Sequence, residues 1–225
     1  MKKLQSIVIP AQLQRNASNV LVDGVEETGQ SILGEMTRRM GCTDLAGLDL
    51  LDVGCGVRFT QTLINRDLPF ASYTGIEVHQ PIIAWLKEQV ETYDDRFKFA
   101  HWDVQNALYN PRGQPMSEQG SLPVAGPYDV IMGFSLFTHL APEDAASMLR
   151  LMRKAARENG ALFFTAFCDE TVQEFEDRIP ERPLLNAYYN RSYLEELIRA
   201  AGWKTISYSE PRGYMMNSFL CQPIV

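Results

Sequence analysis

The sequence lacks the features that mark several large classes of protein. Its four cysteines (Cys42, Cys55, Cys168 and Cys221) lie far apart without a C-x-x-C pair, and only three histidines occur in 225 residues. This set supports neither a zinc ribbon nor a disulfide scaffold, so we expect reduced thiols in a cytoplasmic protein and no bound metal. No run approaches 18 apolar residues, and polar residues follow Met1-Lys2-Lys3, so we expect neither a membrane span nor a signal peptide.

Positive charge is also in short supply. The chain has 21 Lys and Arg against 28 Asp and Glu, a formal net charge of −7. An acidic chain gains no overall attraction to nucleic acid, and no basic cluster offsets this balance, so no nucleic-acid partner is expected. With 45% hydrophobic and 22% charged residues, the composition is that of a globular protein. Its length allows one domain or two, and the oligomeric state stays open.

Apolar runs alternate with helical patterns along most of the chain. The predicted strands span 48–53, 72–78, 97–101, 128–134, 161–167, 203–209 and 216–222. Helices are predicted over 26–40, about 60–66, 81–93, 142–159 and 192–201. The pattern predicts an α/β fold: a doubly wound, mostly parallel, seven-stranded Rossmann-like sheet, whose closing hairpin makes the last strand antiparallel. Residues 1–47 form a predicted helical cover on a domain of residues 48–225, as a single domain overall.

Details of three predicted helices can be read from their residues. Pro81 suits the start of a helix. The apolar face of that helix is predicted to extend as far as Tyr93. The helix that Pro142 opens is expected to stop at Asn159-Gly160. Ser192, with Glu195 three residues later, is a capping box that starts the last helix.

Acidic side chains stand where three successive predicted strands end. Asp52 precedes Gly54 and Gly56, Glu77 ends the second strand, and Asp103 follows the third. Glycines let a ligand approach the backbone, and an acid at the second strand can accept both hydroxyls of a ribose. A carboxylate at the third can accept a hydrogen bond from an adenine amino group. Taken singly, each acid also has a structural explanation, as a helix or turn cap for Asp52 and as a solvated strand end for Glu77 and Asp103. The joint pattern favours one shared crevice.

Two cofactor classes compete for such a crevice. The dinucleotide fingerprint G-x-G-x-x-G fails at Phe59, which stands at the position of the third glycine. A nicotinamide cofactor also gives no reason for an acidic side chain at Asp52 or at Asp103. A nucleoside with an amino-acid tail makes use of all three acids.

The ordered motifs resemble those of the class I S-adenosylmethionine-dependent methyltransferases of the small-molecule type. Residues 51–56 look like the first motif of that family, 128–140 like its fourth-strand motif, and 158–164 like its turn into the fifth strand. The resemblance covers about Leu48 to Val225 and implies S-adenosyl-L-methionine as cofactor. The contacts that it implies are by Asp52, Gly54, Cys55, Gly56, Arg58, Glu77, Val78, Asp103, Val104, Phe134 and Ser135.

One position departs from the family pattern D-x-G-x-G-x-G, since Arg58 stands in place of the third glycine. The arginine either crowds the methionine part of the cofactor or pairs with its carboxylate. A decayed cofactor site is the third reading. Because Asp52, Glu77 and Asp103 are all retained, we rank productive binding first.

His139 is the candidate general base for methyl transfer to a small-molecule acceptor. It follows the fourth predicted strand, and its structural alternative is a residue at the entry to a helix. His101 is expected in the core or at its rim, and His79 beside the adenosine. A non-catalytic binding protein of the same fold and, less favoured, a nicotinamide-dependent oxidoreductase remain the alternatives.

The irregular segments are expected to supply the acceptor site. Residues 105–127 hold four prolines and three glycines, which predicts a long functional or mobile loop. Residues 168–193, with Phe175, Tyr188 and Tyr189, are a candidate lid, and the N-terminal helix and the turn at 212–216 are further candidates. Their tyrosines and methionines favour an apolar or aromatic acceptor.

Overall fold

The computed structural model describes residues 3–15, 24–106, 108–116, 120–213 and 216–224. Within them, the strands are β1 Leu45–Val53, β2 Phe70–Glu77, β3 Phe97–His101, β4 Tyr128–Gly133, β5 Ala156–Cys168, β6 Phe175–Asp177, β7 Ala187–Tyr189, β8 Trp203–Ser209 and β9 Asn217–Pro223. The α-helices are α1 Val25–Met40, α2 Arg58–Asn65, α3 Gln80–Leu86, α4 Pro142–Ala155 and α5 Arg191–Ala200. A π-helical turn, Lys87–Glu91, continues α3, and short 3-10 turns span Ala11–Leu13 and Phe137–His139. In this described part of the chain, no helix is long and apolar enough to cross a membrane.

The main sheet has the order β3-β2-β1-β4-β5-β9-β8. Strands β1 to β5 pair in parallel, whereas β9 is antiparallel to both β5 and β8. The predicted doubly wound sheet with a reversed last strand is therefore confirmed. The short strands β6 and β7, which the sequence did not predict, extend the sheet where β7 pairs with the end of β5. In a parallel sheet of this kind, ligands bind at the carboxyl ends of the strands.

Helices cover both faces of the sheet, which explains why its central strands are apolar on both sides. Leu50 and Leu51, neighbours on β1, are both buried but belong to different core clusters. Helices α1, α2 and α3 pack into the first cluster, and α4 and α5 into the second. Helix α1 approaches α2 closely at Gly29, where an added Cβ would collide with the side chain of Thr62.

The predicted stop of the long helix at Asn159-Gly160 is wrong. Helix α4 ends at Ala155, and β5 begins at once, with Ala156 paired to Tyr128. Arg157 then lies between two acids, with its Nη2 2.9 Å from Asp49 and its Nε 2.8 Å from Asp129. Strand pairing and these ion pairs prevail over the local signal for a helix end.

Two further local predictions are corrected. Helix α5 is capped by Asn190 rather than Ser192: the Asn190 side chain accepts hydrogen bonds from the backbone N–H groups of Ser192 and Tyr193. Tyr93 is 52% exposed and does not join the predicted apolar face. The reason is that the helical segment ends at Glu91, two residues earlier.

Candidate functional site

A cavity of about 520 Å³ opens at the carboxyl ends of the parallel strands. Its size is that of a small-molecule site. The predicted site residues that line it are Gly54, Cys55, Gly56, Arg58, Glu77, Val78, Val104, Phe134, Ser135 and His139. The structure thus brings together most of the residues that the motifs indicated.

The glycine turn after β1 has a conformation that requires glycine. Gly54 and Gly56 have φ angles of +73° and +47°, which residues with a side chain rarely adopt. The turn folds back onto β2, because the N–H groups of Gly54 and Cys55 both donate to the carbonyl of Ile76 (2.8 and 3.1 Å). Backbone at this turn therefore forms one wall of the cavity.

Arg58 lies just after this turn, as the first residue of α2. A right-handed helical residue has no need to be glycine, so the departure from the family pattern does not strain the backbone. The guanidinium carbon is 5.1 Å from the centre of the Phe134 ring, within cation–π range. Burial lowers the pKa of Arg58 without removing its charge near neutral pH.

Glu77 is the acid that reaches the cavity, although it is only 5% exposed. Its Oε1 accepts hydrogen bonds from the N–H groups of Val78 (2.9 Å) and His79 (3.0 Å), and its Oε2 accepts one from Gly56 (3.1 Å). The guanidinium of Arg15 lies 3.1 Å from the same Oε2. These contacts fix the carboxylate beside the glycine turn.

The other two acids are not among the described residues that line the cavity. Asp52 is 1% exposed and accepts a hydrogen bond of 2.6 Å from the hydroxyl of Tyr73. Burial raises the pKa of Asp52 to about 7, and the negative charge of Glu77 raises it as well. The hydrogen bond from Tyr73 acts in the opposite direction. Asp103 is exposed and accepts a hydrogen bond from the amide of Asn110 (3.0 Å). The expected convergence of three acids is thus reduced to Glu77 at the cavity wall.

Cys55 and Ser135 contribute to the wall in different ways. Cys55 is buried, and burial raises the pKa of its thiol, which removes it as a nucleophile. Ser135 has a φ of +54°, and its N–H donates to Oγ1 of Thr165 (2.8 Å). This bond ties the turn after β4 to β5.

His139 lines the cavity from the 3-10 turn that follows β4. Its Nδ1 is 3.0 Å from the carbonyl oxygen of Leu184. Since a carbonyl can only accept, Nδ1 carries the proton and Nε2 carries the lone pair. Burial lowers the pKa of His139, and the positive charge of Arg15 lowers it further. Hydrogen bonds to the Leu184 and Leu185 carbonyls raise the pKa in part. The neutral imidazole is therefore the form expected at neutral pH.

The other two histidines are not among the described lining residues. His101 is half-buried, with its Nε2 3.1 Å from the carbonyl oxygen of Val78. His79 precedes α3, next to Glu77 in the chain. Burial and the charge of Arg15 lower the pKa of His79.

Arg15 is a cavity residue that sequence reasoning missed. Besides its contact with Glu77, its guanidinium carbon lies 4.2 Å from the centre of the Tyr109 ring. No local pattern marks Arg15, because its partners lie far along the chain. The apolar wall was also missed in part; it includes Leu13, Trp102, Tyr109, Met116, Leu140, Met148 and Phe167.

The expected lid at 168–193 forms the β6–β7 extension instead. Phe175, Tyr188 and Tyr189 are not among the described lining residues, and Tyr189 is buried with its hydroxyl donating to the carbonyl of Leu140. In the candidate turn at 212–216, Met216 lines the cavity. Tyr214 and Met215 of that turn lie outside the described residues.

The residues present fit a nucleoside that carries an amino-acid tail. Backbone without side chains at Gly54 and Gly56 admits close approach, and Glu77 offers acceptor oxygens at the end of β2. Arg58 brings a cation to the same wall, which suits a ligand carboxylate. The observed donors and acceptors therefore match the cofactor that the motif resemblance implies.

Comparisons with known proteins agree with this architecture. A family model described as a methyltransferase domain matches residues 25–208. A malonyl-[acyl-carrier protein] O-methyltransferase of Acetivibrio thermocellus is 20% identical over 167 residues, which cover 74% of this chain and 52% of that protein. The chain thus spans about half the length of this relative.

Two solved structures resemble this one in fold. The [4+2]-cyclase SpnF aligns with a TM-score of 0.57 and 22% identity, over 82% of this chain and 58% of that one. The Burkholderia thailandensis 1,6-didemethyltoxoflavin-N1-methyltransferase, solved with 1,6-didemethyltoxoflavin and S-adenosylhomocysteine, aligns with a TM-score of 0.59 and 16% identity, over 92% of this chain and 81% of that one. At these identities the likeness establishes the fold.

Proposed function

This chain belongs to the methyltransferase-domain family, and we propose that it is an enzyme that uses S-adenosylmethionine to methylate a small-molecule acceptor. The family match confirms the resemblance to methyltransferases that the motifs carry. The observation that supports the proposal best is the composition of one cavity. Glu77, Arg58 and the glycine turn line it together with His139 and an apolar wall.

The cofactor is assigned to the wall that the ends of β1 and β2 form. When bound, S-adenosylmethionine supplies a methyl group on a sulfonium, which is already a strong electrophile. Glu77 accepts hydrogen bonds from the ribose hydroxyls, and Arg58 pairs with the carboxylate of the amino-acid tail. Val78 and Val104 are assigned to the contact surface around the adenine, and Phe134, whose ring centre lies 5.1 Å from the Arg58 guanidinium carbon, is assigned to the amino-acid end of the cofactor.

His139 is proposed as the general base. Its Nδ1–H is engaged by the Leu184 carbonyl, so Nε2 is the nitrogen that can take a proton from a hydroxyl or amine of the acceptor. A buried imidazole with a lowered pKa is unprotonated at neutral pH, as this step requires. The remaining task of the protein is to orient the acceptor and exclude water.

The acceptor is proposed to be apolar or aromatic. Trp102, Tyr109 and Phe167 supply aromatic faces to the cavity, and Met116 and Met148 supply adaptable apolar ones. The relatives' names describe acceptors of two kinds, a malonyl-[acyl-carrier protein] and the small molecule 1,6-didemethyltoxoflavin. A cavity with this wall favours the second kind.

The sequence suggested a cover of residues 1–47 on a cofactor-binding part of residues 48–225, but β1 begins at Leu45, so the boundary is moved to that residue. The segment before β1 is proposed to form a cover that is part of the same domain. Ile32, Leu33 and Met36 of α1 belong to the same core cluster as Leu50 of β1. Helix α1 also packs directly on α2, whose first residue is Arg58. Such a shared core supports one folding unit.

Calorimetric titration with S-adenosylmethionine, S-adenosylhomocysteine and NADH tests the cofactor. Micromolar binding of the two adenosyl compounds without NADH binding is expected. Tight binding of NADH alone would instead support an oxidoreductase, and no binding of any of the three would refute an enzyme of either kind. Transfer of a labelled methyl group is then measured against a panel of aromatic hydroxyl and amine compounds. Cofactor binding without transfer to any panel member, or to an acyl-carrier protein, would indicate a binding protein.

A further inference from the structure

We propose that Asp177 is a positioning residue for His139 and acts through the backbone of Leu184. The proposal rests on the proposed function, in which His139 is the general base. Asp177 ends β6 and lies in the segment that the sequence suggested as a lid. Its effect on the cavity is indirect, because one backbone residue links its carboxylate to the imidazole.

The first link is a hydrogen bond that holds the loop between β6 and β7. Oδ2 of Asp177 accepts from the N–H of Leu184 at 2.8 Å, across seven residues of the loop. The strands on either side fix the base of this loop, with Asp177 paired to Ala187 and the N–H of Arg178 bonded to the Asn186 carbonyl (3.2 Å). The carboxylate therefore holds the part of the loop around Leu184, which we call the loop tip.

The second link is the unusual backbone of Leu184. Its φ is +57°, in the left-handed region that a branched side chain rarely occupies. A residue stays in such a conformation only when its surroundings enforce it, and here its side chain packs against the second core cluster. In this conformation the N–H of Leu184 meets Asp177 while its carbonyl meets His139.

The third link is the tautomer of the imidazole. The Leu184 carbonyl, 3.0 Å from Nδ1, keeps the proton on that nitrogen and leaves the lone pair on Nε2. The Leu185 carbonyl, one residue further along the same loop, also hydrogen-bonds to His139 and supports the same tautomer. Among the other described residues, the Tyr109 ring, 6.2 Å away edge to face, and the charge of Arg15 lie near His139. A guanidinium cannot accept a hydrogen bond, so Arg15 does not replace the carbonyl. Loss of the Asp177 hydrogen bond would let the Leu184 carbonyl move away from Nδ1. The proton of His139 would then no longer be confined to that nitrogen.

The test is a long-range proton–nitrogen NMR correlation on the full chain with 15N-labelled histidine. The chain has three histidines, so single His→Gln variants assign the signals. In the wild type, we expect His139 as the neutral form with its proton on Nδ1. A proton on Nε2 would overturn the proposal without any substitution at Asp177. In Asp177→Ala, the signals are expected to shift towards a mixture of tautomers.

Two variants make this test specific. Asp177→Asn keeps an oxygen that can accept from Leu184, so it is expected to preserve the wild-type tautomer. Glu176→Gln changes the neighbouring acid, which bonds to Arg178 and not to the loop tip, and should leave His139 unchanged. An unchanged tautomer in a folded Asp177→Ala protein would refute the positioning role, whatever the role of His139.

Turnover separates this proposal from the proposed function. With a working acceptor, Asp177→Ala is expected to lower kcat roughly tenfold, with cofactor affinity unchanged. If the tautomer shifts while His139→Ala has normal turnover, the general-base assignment fails and the positioning contact stands. If His139→Ala is inactive while the tautomer does not respond to Asp177→Ala, the positioning role of Asp177 fails and the general-base assignment stands.

Discussion

Arg58 shows how one side chain can replace a glycine at a motif position without cost to the backbone. It begins α2 in ordinary helical conformation, whereas Gly54 and Gly56 hold the positive φ angles of the turn. The substitution therefore places a charged side chain on the cavity wall without straining the backbone. A cation at this position would give the cofactor carboxylate a partner that glycine cannot supply.

The Arg58 assignment predicts a selective loss of affinity. Arg58→Ala should weaken S-adenosylmethionine by about tenfold or more, because a hydrogen bond to a charged group contributes roughly 1.5–3 kcal/mol. Methylthioadenosine lacks the amino-acid tail and should be affected much less. Calorimetric titration of both ligands measures the difference, and Arg58→Lys serves as the control that keeps the charge. Equal losses for both ligands would remove the carboxylate pairing.

His139 gives a prediction for turnover and its pH dependence. A neutral base is needed, and in the free protein burial lowers the pKa of His139 from its usual value of 6.5. Since kcat/KM reports the free enzyme, it should rise with pH through a midpoint below that value and stay level at neutral pH. His139→Ala should lower kcat by roughly 10²–10⁴ and leave cofactor affinity nearly unchanged. His101→Gln changes a histidine that is not among the described lining residues and is the matched control. Unchanged turnover in His139→Ala would return this residue to a structural role.

Glu77 and Asp103 are predicted to differ in importance, although both stand at strand ends. Glu77 lines the cavity, so Glu77→Gln should weaken S-adenosylmethionine by about ten- to a hundredfold through lost charged hydrogen bonds. Asp103 is exposed and bonded to Asn110, so Asp103→Asn should change the affinity by less than about threefold. Titration calorimetry on both variants checks the ranking. A larger loss for Asp103→Asn would restore the adenine contact that the motif implies.

At the scale of elements, the contact between α1 and α2 depends on one glycine. Gly29→Ala places a methyl group against Thr62, where no space exists, and should destabilise the fold by about 1–3 kcal/mol. Gly34, on the same helix, has no atom of the described residues within 4 Å of an added Cβ. Gly34→Ala should therefore be neutral or stabilise by up to about 1 kcal/mol through helix propensity. Urea unfolding of the two variants tests the contrast, and similar effects of both would contradict the close packing.

The elements were predictable where a local pattern determines them. Alternation of apolar runs and helical faces predicted the parallel sheet and its reversed last strand, which depend on periodicity and connection length. The error at the start of β5 arises because distant partners determine the structure there. Arg157 joins β5 because Asp49 and Asp129 lie beside it, and no residue near Arg157 in the sequence indicates this.

The candidate site follows the same rule across the whole molecule. The glycine turn and Glu77 belong to local motifs at strand ends, so the sequence predicted them. Arg15 and the Leu184 carbonyl reach the cavity through contacts between segments that are remote in the chain. The final placement of Asp52 and Asp103 depends on side-chain direction at the strand ends, which a motif does not specify.

Because residues from Leu13 to Met216 line one cavity, cofactor binding should stabilise the molecule as a single unit. A ligand at a hundred times its dissociation constant adds about 2.7 kcal/mol to the free energy of unfolding. For a chain of this length that corresponds to a rise in Tm of roughly 5–10 °C. Scanning calorimetry with S-adenosylhomocysteine should show one transition that shifts as a whole, whereas NADH at the same concentration should not move it. Glu77→Gln should reduce the shift at equal ligand concentration. Two transitions, only one of which responds, would mean that the N-terminal cover folds apart from the sheet that it covers.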